Sequence, residues 1–256
     1  MTSKISIPAK RSLGQNFLVN EGVLDRIVSA ADIHPGDTVL EIGPGRGALT
    51  QKLAETGARI VAVEKDRRLI APLTELFAAH TNVAIREGDV LKLDTDDLSL
   101  EAGAYKLVAN IPYYLTGHLF RLMLEAWPPP SCAVLMVQRE VADRIMAEPP
   151  DMNLLALSVR LHATPSIVMR VSRGSFRPIP DVDSAVVRLA LSPLTAAERS
   201  SNKDILAIAK RAFGQKRKQL TASIDEAVLQ AAGIPPHARP QELSVDDWRR
   251  IALAFH

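Results

Sequence analysis

Short apolar, β-rich runs alternate with segments of helical period through the first 191 residues. Strands are predicted at 38–42, 59–64, 83–87, 106–110, 132–138, 167–171 and 185–191. The first five are short and apolar on both sides, as strands buried in a parallel sheet are. Helical segments at 48–56, 67–80, 117–126 and 140–147 separate them. That alternation implies right-handed strand-helix-strand units and hence an α/β architecture. No long helix separates the last two strands, which read as an antiparallel pair at the sheet edge. After Leu191 the pattern changes. Ser192-Pro193-Leu194-Thr195 reads as a linker, and Thr195 with Glu198 has the spacing of a capping box. From there to His256 only helical patterns occur, broken by Gly233-Ile234-Pro235-Pro236 and by Pro240. Two domains are expected: 1–191, an α/β domain, and 192–256, a small all-helical one.

The loops that follow the strands carry the candidate chemistry. Glu41-Ile42-Gly43-Pro44-Gly45-Arg46-Gly47 leaves the first strand and opens a helix. Glycines there let the backbone turn sharply and approach a ligand. Such a loop is common, but here an acid, Glu64, ends the next strand, where it can accept hydrogen bonds from a ribose diol. The plainer alternative makes Glu64 a surface acid at a helix start. Asp89, in Glu87-Gly88-Asp89-Val90, ends the third strand, where an acid can take the amino group of a cofactor adenine. Asn110 ends the fourth. Seven strands with these strand-end residues suit Rossmann-like S-adenosylmethionine-dependent methyltransferases better than dehydrogenases.

Asn110-Ile111-Pro112-Tyr113 matches the (Asn/Asp)-x-Pro-(Tyr/Phe) signature of amino methyltransferases. An adenine exocyclic nitrogen is a poor nucleophile because its lone pair is delocalised into the ring. Two acceptors on its hydrogens favour a pyramidal nitrogen and expose that lone pair. The Asn110 side-chain oxygen and the Ile111 carbonyl are the expected acceptors. Pro112, with a restricted φ and no N–H, holds the turn. Tyr113 can stack on the base, a contact worth roughly 1–3 kcal/mol. No strong base is needed, because the methylated ammonium product is acidic. Phe176, in the proline-stiffened run Phe176-Arg177-Pro178-Ile179-Pro180-Asp181-Val182-Asp183-Ser184, is the candidate second face of a clamp on a displaced base. The alternative for Phe176 is a core plug beneath that loop.

Composition narrows the setting. The chain has 256 residues, a net charge of +2 and one cysteine, Cys132, so no internal disulfide is possible. Apolar neighbours suggest that Cys132 is buried. No apolar run is long enough to span a bilayer, the start lacks a signal-peptide core, and the six histidines are scattered. A cytoplasmic protein with no membrane and no metal is expected. Five basic residues and no acid lie between Asp204 and Asp225: Lys210, Arg211, Lys216, Arg217 and Lys218. With Lys10 and Arg11 they are the candidate phosphate contacts to RNA.

Taken together, these residues resemble the bacterial small-subunit (16S) rRNA adenine N6,N6-dimethyltransferases of the KsgA type. The similarity runs through Gly14-Gln15-Asn16-Phe17-Leu18, the glycine loop, Val63-Glu64-Lys65-Asp66, Gly88-Asp89-Val90, Asn110–Tyr113, Val137-Gln138-Arg139-Glu140-Val141-Ala142, Phe176–Val187, Phe213–Leu220 and Glu242-Leu243-Ser244. It implies S-adenosyl-L-methionine as cofactor, contacted at Asn16, Leu18, Gly43, Glu64, Asp89 and Asn110, with Gly45 in the same loop. It implies dimethylation of two adjacent adenosines in a hairpin near the 3′ end of small-subunit rRNA, late in assembly of an immature 30S particle, by a monomer. Two stretches depart from the family pattern, Met152-Asn153-Leu154-Leu155-Ala156 and Gly214-Gln215-Lys216-Arg217-Lys218. Both bear on RNA contacts or packing. The rival readings are a large-subunit rRNA adenine methyltransferase of the macrolide-resistance type and a non-catalytic ribosome-assembly factor.

Overall fold

The computed structural model describes residues 5, 7–10, 13–92, 95–98, 100–215 and 218–255. In chain order the α/β elements are β1 (Phe17–Leu18), α1 (Glu21–Ala31), β2 (Thr38–Ile42), α2 (Ala48–Ala54), β3 (Arg59–Glu64), α3 (Arg67–Leu76), β4 (Val83–Glu87), β5 (Tyr105–Asn110), α4 (Thr116–Arg121), β6 (Cys132–Gln138) and α5 (Arg139–Met146). Next come α6 (Leu154–His162), β7 (Ala163–Val171), β8 (Phe176–Arg177) and β9 (Ser184–Leu191), followed by α7 (Ala196–Phe213), α8 (Glu226–Ala231) and α9 (Val245–Ala254). Helix α4 widens at its end into a π-helical turn over Leu122–Ala126.

Seven strands form one sheet in the order β4-β3-β2-β5-β6-β9-β7. Strands β2 to β6 pair in parallel, and β9 lies antiparallel to β6. The chain builds outward from β2 through β3 to β4, then returns to place β5 on the other side of β2. Ligand crevices open at such a reversal, outside the carboxyl ends of the strands. All seven expected strands occur. The last two are neighbours at one edge, with β7 outermost. Strand β4 departs from the expected burial: as the other edge strand it is only half-buried, and its last two residues are exposed.

The chain divides into two compact units: Met1–Ala142 with Ser166–Leu191, and Asp143–Pro165 with Ser192–His256. One division falls after Leu191, and residues 143–165 belong to the second unit. The physical reason is apolar packing. Met152, Ala156, Leu157 and Leu161 share a core with Ile205, Ala209, Phe213, Trp248 and Ile251. Helix α6 was not predicted, because its nearly continuous apolar run carries little helical period. Asn153 caps it by accepting the N–H groups of Leu155 and Ala156. The atypical 152–156 stretch is therefore a cap and a core contribution. Helix α7 puts Ile205, Ile208, Ala209, Ala212 and Phe213 on its buried face and starts with the expected capping box. There Thr195 Oγ accepts the Glu198 N–H, and the Glu198 carboxylate accepts the Thr195 N–H at 2.7 Å.

Helix α1, also not predicted, starts at an Asn20 cap and buries Val23, Leu24, Ile27 and Ala31 within the α/β unit. Cys132 is buried and free, as its neighbours suggested. No helix among the described residues is long and apolar enough to cross a membrane. The same residues contain no cluster of three His, Cys, Asp or Glu side chains placed to hold a metal ion.

Candidate active site

The four strand-end positions converge on one cleft within the α/β unit. Asn16, Gly43, Gly45, Glu64, Asp89 and Asn110 line it, as do Ile111, Pro112, Tyr113 and Phe176. Leu18 is the exception among the expected cofactor residues. Its side chain is buried in the core beside α1 and faces a smaller cavity behind the glycine loop. Its strand places the main chain opposite Phe176 instead.

The glycine loop is shaped by what crowds it. Gly45 has φ +59°, and a Cβ there would stand 3.0 Å from the Phe17 ring. Only glycine meets both demands. Phe17 in turn lies under the Arg46 guanidinium, 4.4 Å from the ring centroid, while Arg46 donates to the Ile7 carbonyl at 2.7 Å. The N-terminal segment is thereby stapled to the loop.

Glu64 is buried, and its two carboxyl oxygens accept the Gly45 N–H at 3.1 Å and the Asp66 N–H at 2.8 Å. Burial pushes its pKa up, and these N–H groups offset part of that rise. The Lys65 N–H acts on it in the same direction, and a carboxylate with about four acceptor sites still has room for a further donor. Asp89 behaves oppositely. Partial burial raises its pKa, but the Lys65 ammonium at 2.8 Å and the Leu91 N–H outweigh this and leave it below the usual range. Its neighbour Asp66 is lowered chiefly by Arg68, and it also accepts from Gln15 at 2.9 Å.

One acid here had no assigned role in the sequence reading. Glu41 is 1% exposed, and neither of its carboxyl oxygens has a hydrogen-bond partner. Burial pushes its pKa up to about 8, with the Thr50 hydroxyl beside it offsetting part of the rise and the Glu64 charge adding to it. It faces the smaller cavity that also touches Asn110. The available signal was a strand apolar on both faces: Val39 shares a face with Glu41 and is buried, as Leu40 and Ile42 are on the other.

On the opposite wall, Asn110 Nδ2 donates to the Asn16 carbonyl at 3.4 Å. A carbonyl accepts only a donor, so the amide orientation is set and Asn110 Oδ1 remains as an acceptor. Tyr113 is half-buried, and its hydroxyl shares a hydrogen bond of 3.0 Å with Ser184 Oγ. Burial raises the Tyr113 pKa; Ser184 offsets part of this, and Asp181 and Asp183 add to it. Ser184, which had no predicted role, thus fixes the phenol ring across 71 residues of sequence. Phe176 differs from the expected open clamp. It lies at the cleft wall but is only 1% exposed, packed in the core cluster that holds Leu24, Met136 and Val186. In this arrangement it fills the role of the core plug.

Of the expected RNA contacts, Lys10, Lys210, Arg211 and Lys218 are exposed. Lys210 and Arg211 sit in the last turn of α7, and Lys218 follows it. Arg11, Lys216 and Arg217 lie outside the described residues.

A crevice at the sheet reversal, with a buried acid on one wall and an oriented amide acceptor on the other, is the working arrangement of Rossmann-like methyltransferases. A sequence model of the ribosomal RNA adenine dimethylase family matches residues 7–256, and the chain belongs to that family. It is 40% identical over 265 residues to the ribosomal RNA small subunit methyltransferase A of Dehalococcoides mccartyi (strain CBDB1), covering 100% of this chain and 91% of that protein. It is 42% identical to the protein of the same name from Pelotomaculum thermopropionicum, over 97% and 92% of the two chains. Among solved structures, a dimethyladenosine transferase from Plasmodium falciparum superposes with TM-score 0.79 at 28% identity, covering 93% of this chain and 97% of that one. The 23S rRNA methyltransferase ErmE superposes with TM-score 0.76 at 27% identity, over 93% and 99%.

The methyl donor of this family is S-adenosyl-L-methionine, and the cleft fits it. Glu64 retains acceptor capacity for a ribose diol, and Asp89 offers an ionised carboxylate for an adenine amino group.

Proposed function

We propose that this chain dimethylates the N6 amino groups of two adjacent adenosines in a hairpin near the 3′ end of small-subunit rRNA, late in assembly of the 30S particle. The observation that carries the reading is the orientation of Asn110. With Nδ2 committed to the Asn16 carbonyl, Oδ1 is the atom left to accept from an amino group in the cleft.

Bound S-adenosylmethionine would supply an electrophilic methyl group on its sulfonium, the S–CH3 bond breaking as the N–CH3 bond forms and S-adenosyl-L-homocysteine leaving as product. Asn110 Oδ1 and the Ile111 carbonyl accept the two N6 hydrogens, which turns the nitrogen lone pair out of conjugation. Pro112 supports the turn, and Tyr113 stacks on the base with its hydroxyl tethered to Ser184. These groups act by alignment and by dipoles fixed before the reaction, since the methylated ammonium product loses its proton to water. Repeating the cycle on the monomethylated nitrogen needs only one remaining hydrogen to be held.

The small-subunit reading rests on the names and similarity of the relatives, 40% and 42% identical, against 27% for the large-subunit enzyme. Cytoplasmic action as a monomer, without metal, completes the proposal. Labelled cofactor is incubated with immature small subunits, and the product RNA is analysed by mass spectrometry. Dimethyladenosine at two adjacent positions is expected. Modification confined to large-subunit rRNA overturns the choice of substrate. Binding without label transfer overturns catalysis in favour of an assembly factor. Neutralising Lys210, Arg211 and Lys218 together is expected to lower the slope of log affinity against log salt by about 0.7–0.9 for each phosphate left without its cation. An unchanged slope moves the RNA surface elsewhere.

A further inference from the structure

Five large apolar side chains are exposed among the described residues: Val19, Ile179, Val182, Leu253 and Phe255. Two of them, Ile179 at 58% and Val182 at 43%, stand on the short loop between β8 and β9. Both ends of that loop are anchored at the cleft. Phe176 forms part of the cleft wall at one end, and Ser184 holds the Tyr113 hydroxyl at the other. Val19 is also exposed, and its N–H donates to the Ser175 carbonyl just before β8.

The loop is stiff as well as apolar. Pro178 and Pro180 restrict its backbone. Arg177 Nη1 donates to the Gly174 and Phe176 carbonyls at its base. Asp183 is held from three directions: its carbonyl accepts the Arg139 N–H at 3.0 Å, its carboxylate accepts the Arg173 N–H at 3.0 Å, and the Arg139 guanidinium lies 3.5 Å away. A rigid turn that lifts two branched apolar side chains into solvent gives up burial within its own unit. It gains if those side chains meet a ligand.

Charge indicates which part of an RNA that ligand is. Arg177 is engaged by carbonyls at the base of the loop, and Asp181 is exposed between Ile179 and Val182, so the tip itself presents an acid and suits base faces and edges over phosphate. Adjacent adenosines in a hairpin are stacked, and a base enters a cleft only after leaving its stack, which costs energy. Apolar side chains pushed between base steps perform this unstacking in other nucleic-acid proteins.

We infer that Ile179 and Val182 form a wedge that enters the stack beside the target adenosine and occupies the gap left when its base turns into the cleft. The inference rests on the adenine-N6 reading above. The wedge acts on the RNA around the reacting atoms and leaves the transfer itself to the Asn110 wall.

The test compares wild type with the double variant Ile179→Ser, Val182→Ser on two substrates. One is the undermethylated small subunit with its native hairpin. The other carries a hairpin stem mutated so that the loop bases are already unstacked. The serine pair is expected to lose about tenfold in kcat/KM on the native hairpin, near the value of one base stack, and clearly less on the unstacked one. Cofactor affinity by calorimetry stays unchanged, and the pair Ile179→Leu, Val182→Ile restores the native rate. An equal loss on both substrates, or no loss on the native one, overturns the wedge while the proposed function stands. A wild type that modifies no small-subunit adenosine overturns both.

Discussion

The two walls of the cleft are built on different principles. The cofactor wall consists of residues at the ends of neighbouring parallel strands, and its partners lie in the loops leaving those same strands. Glu64 accepts from Asp66 two residues on and from Gly45 in the adjacent loop. Asp89 accepts from Leu91 and pairs with Lys65. The base wall depends on contacts between distant segments. Asn110 is oriented by Asn16 across 94 residues, and Tyr113 by Ser184 across 71. The first wall follows almost directly from sheet topology. The second needs the N-terminal strand and the β8–β9 turn to arrive in register before it exists.

If the walls are separable in this way, substitutions should sort cleanly. The largest effect is expected at Asn110→Ala. Loss of an oriented acceptor should lower kcat by about 10²–10³-fold while RNA affinity stays near wild type, measured by single-turnover methylation and filter binding. Near-normal turnover would remove the acceptor role. Glu64→Ala should weaken cofactor binding by roughly 10–100-fold, from about 1.5–3 kcal/mol of charged hydrogen bonding, with RNA affinity unchanged. Calorimetry reads this directly, and an equal loss of RNA affinity would mean that the walls are coupled.

Glu41→Gln probes the junction behind both walls through pH. Burial pushes the folded carboxyl up to about 8, against 4.5 for the exposed group. Between those values the folded state keeps a proton that the unfolded chain has released. Stability therefore falls as pH rises through that window, by up to about 1.4 kcal/mol per pH unit. The glutamine variant lacks this dependence, so its melting temperature should gain on wild type between pH 5 and pH 8. A constant gap would show that Glu41 is ionised in the fold. The smallest effect is expected at Ser184→Ala. Loss of one hydrogen bond of about 1 kcal/mol should slow turnover roughly fivefold. Tyr113→Phe should cost a similar amount, and the double variant no more than either single one, if the two hydroxyls act only through each other.

The sheet was legible because strands have a short period and end in distinctive residues. Strands β2, β3, β4 and β6 occur with the expected bounds, and β5, β7 and β9 begin slightly earlier than expected. The amphipathic α7 and its Thr195 cap were legible for the same local reason. The burial of Phe176 was not, because a ring at the edge of a loop reads alike whether it faces a ligand or the core. Nor was the transfer of residues 143–165 to the helical unit. Helix α6 shows its allegiance only through Met152, Ala156, Leu157 and Leu161 meeting α7 and α9.

By itself the sequence determined the α/β class, the strand-end acids, the glycine loop and the Asn110–Tyr113 turn, all of which are encoded over spans of a few residues. Only the tertiary structure decided that Asn110 presents its oxygen, that Ser184 holds Tyr113, that Glu41 is buried and that Ile179 and Val182 remain uncovered. Each of these depends on which distant atom occupies the neighbouring space. Hydrogen bonding and exclusion of water act between neighbours in space, and a linear pattern of residues does not name them.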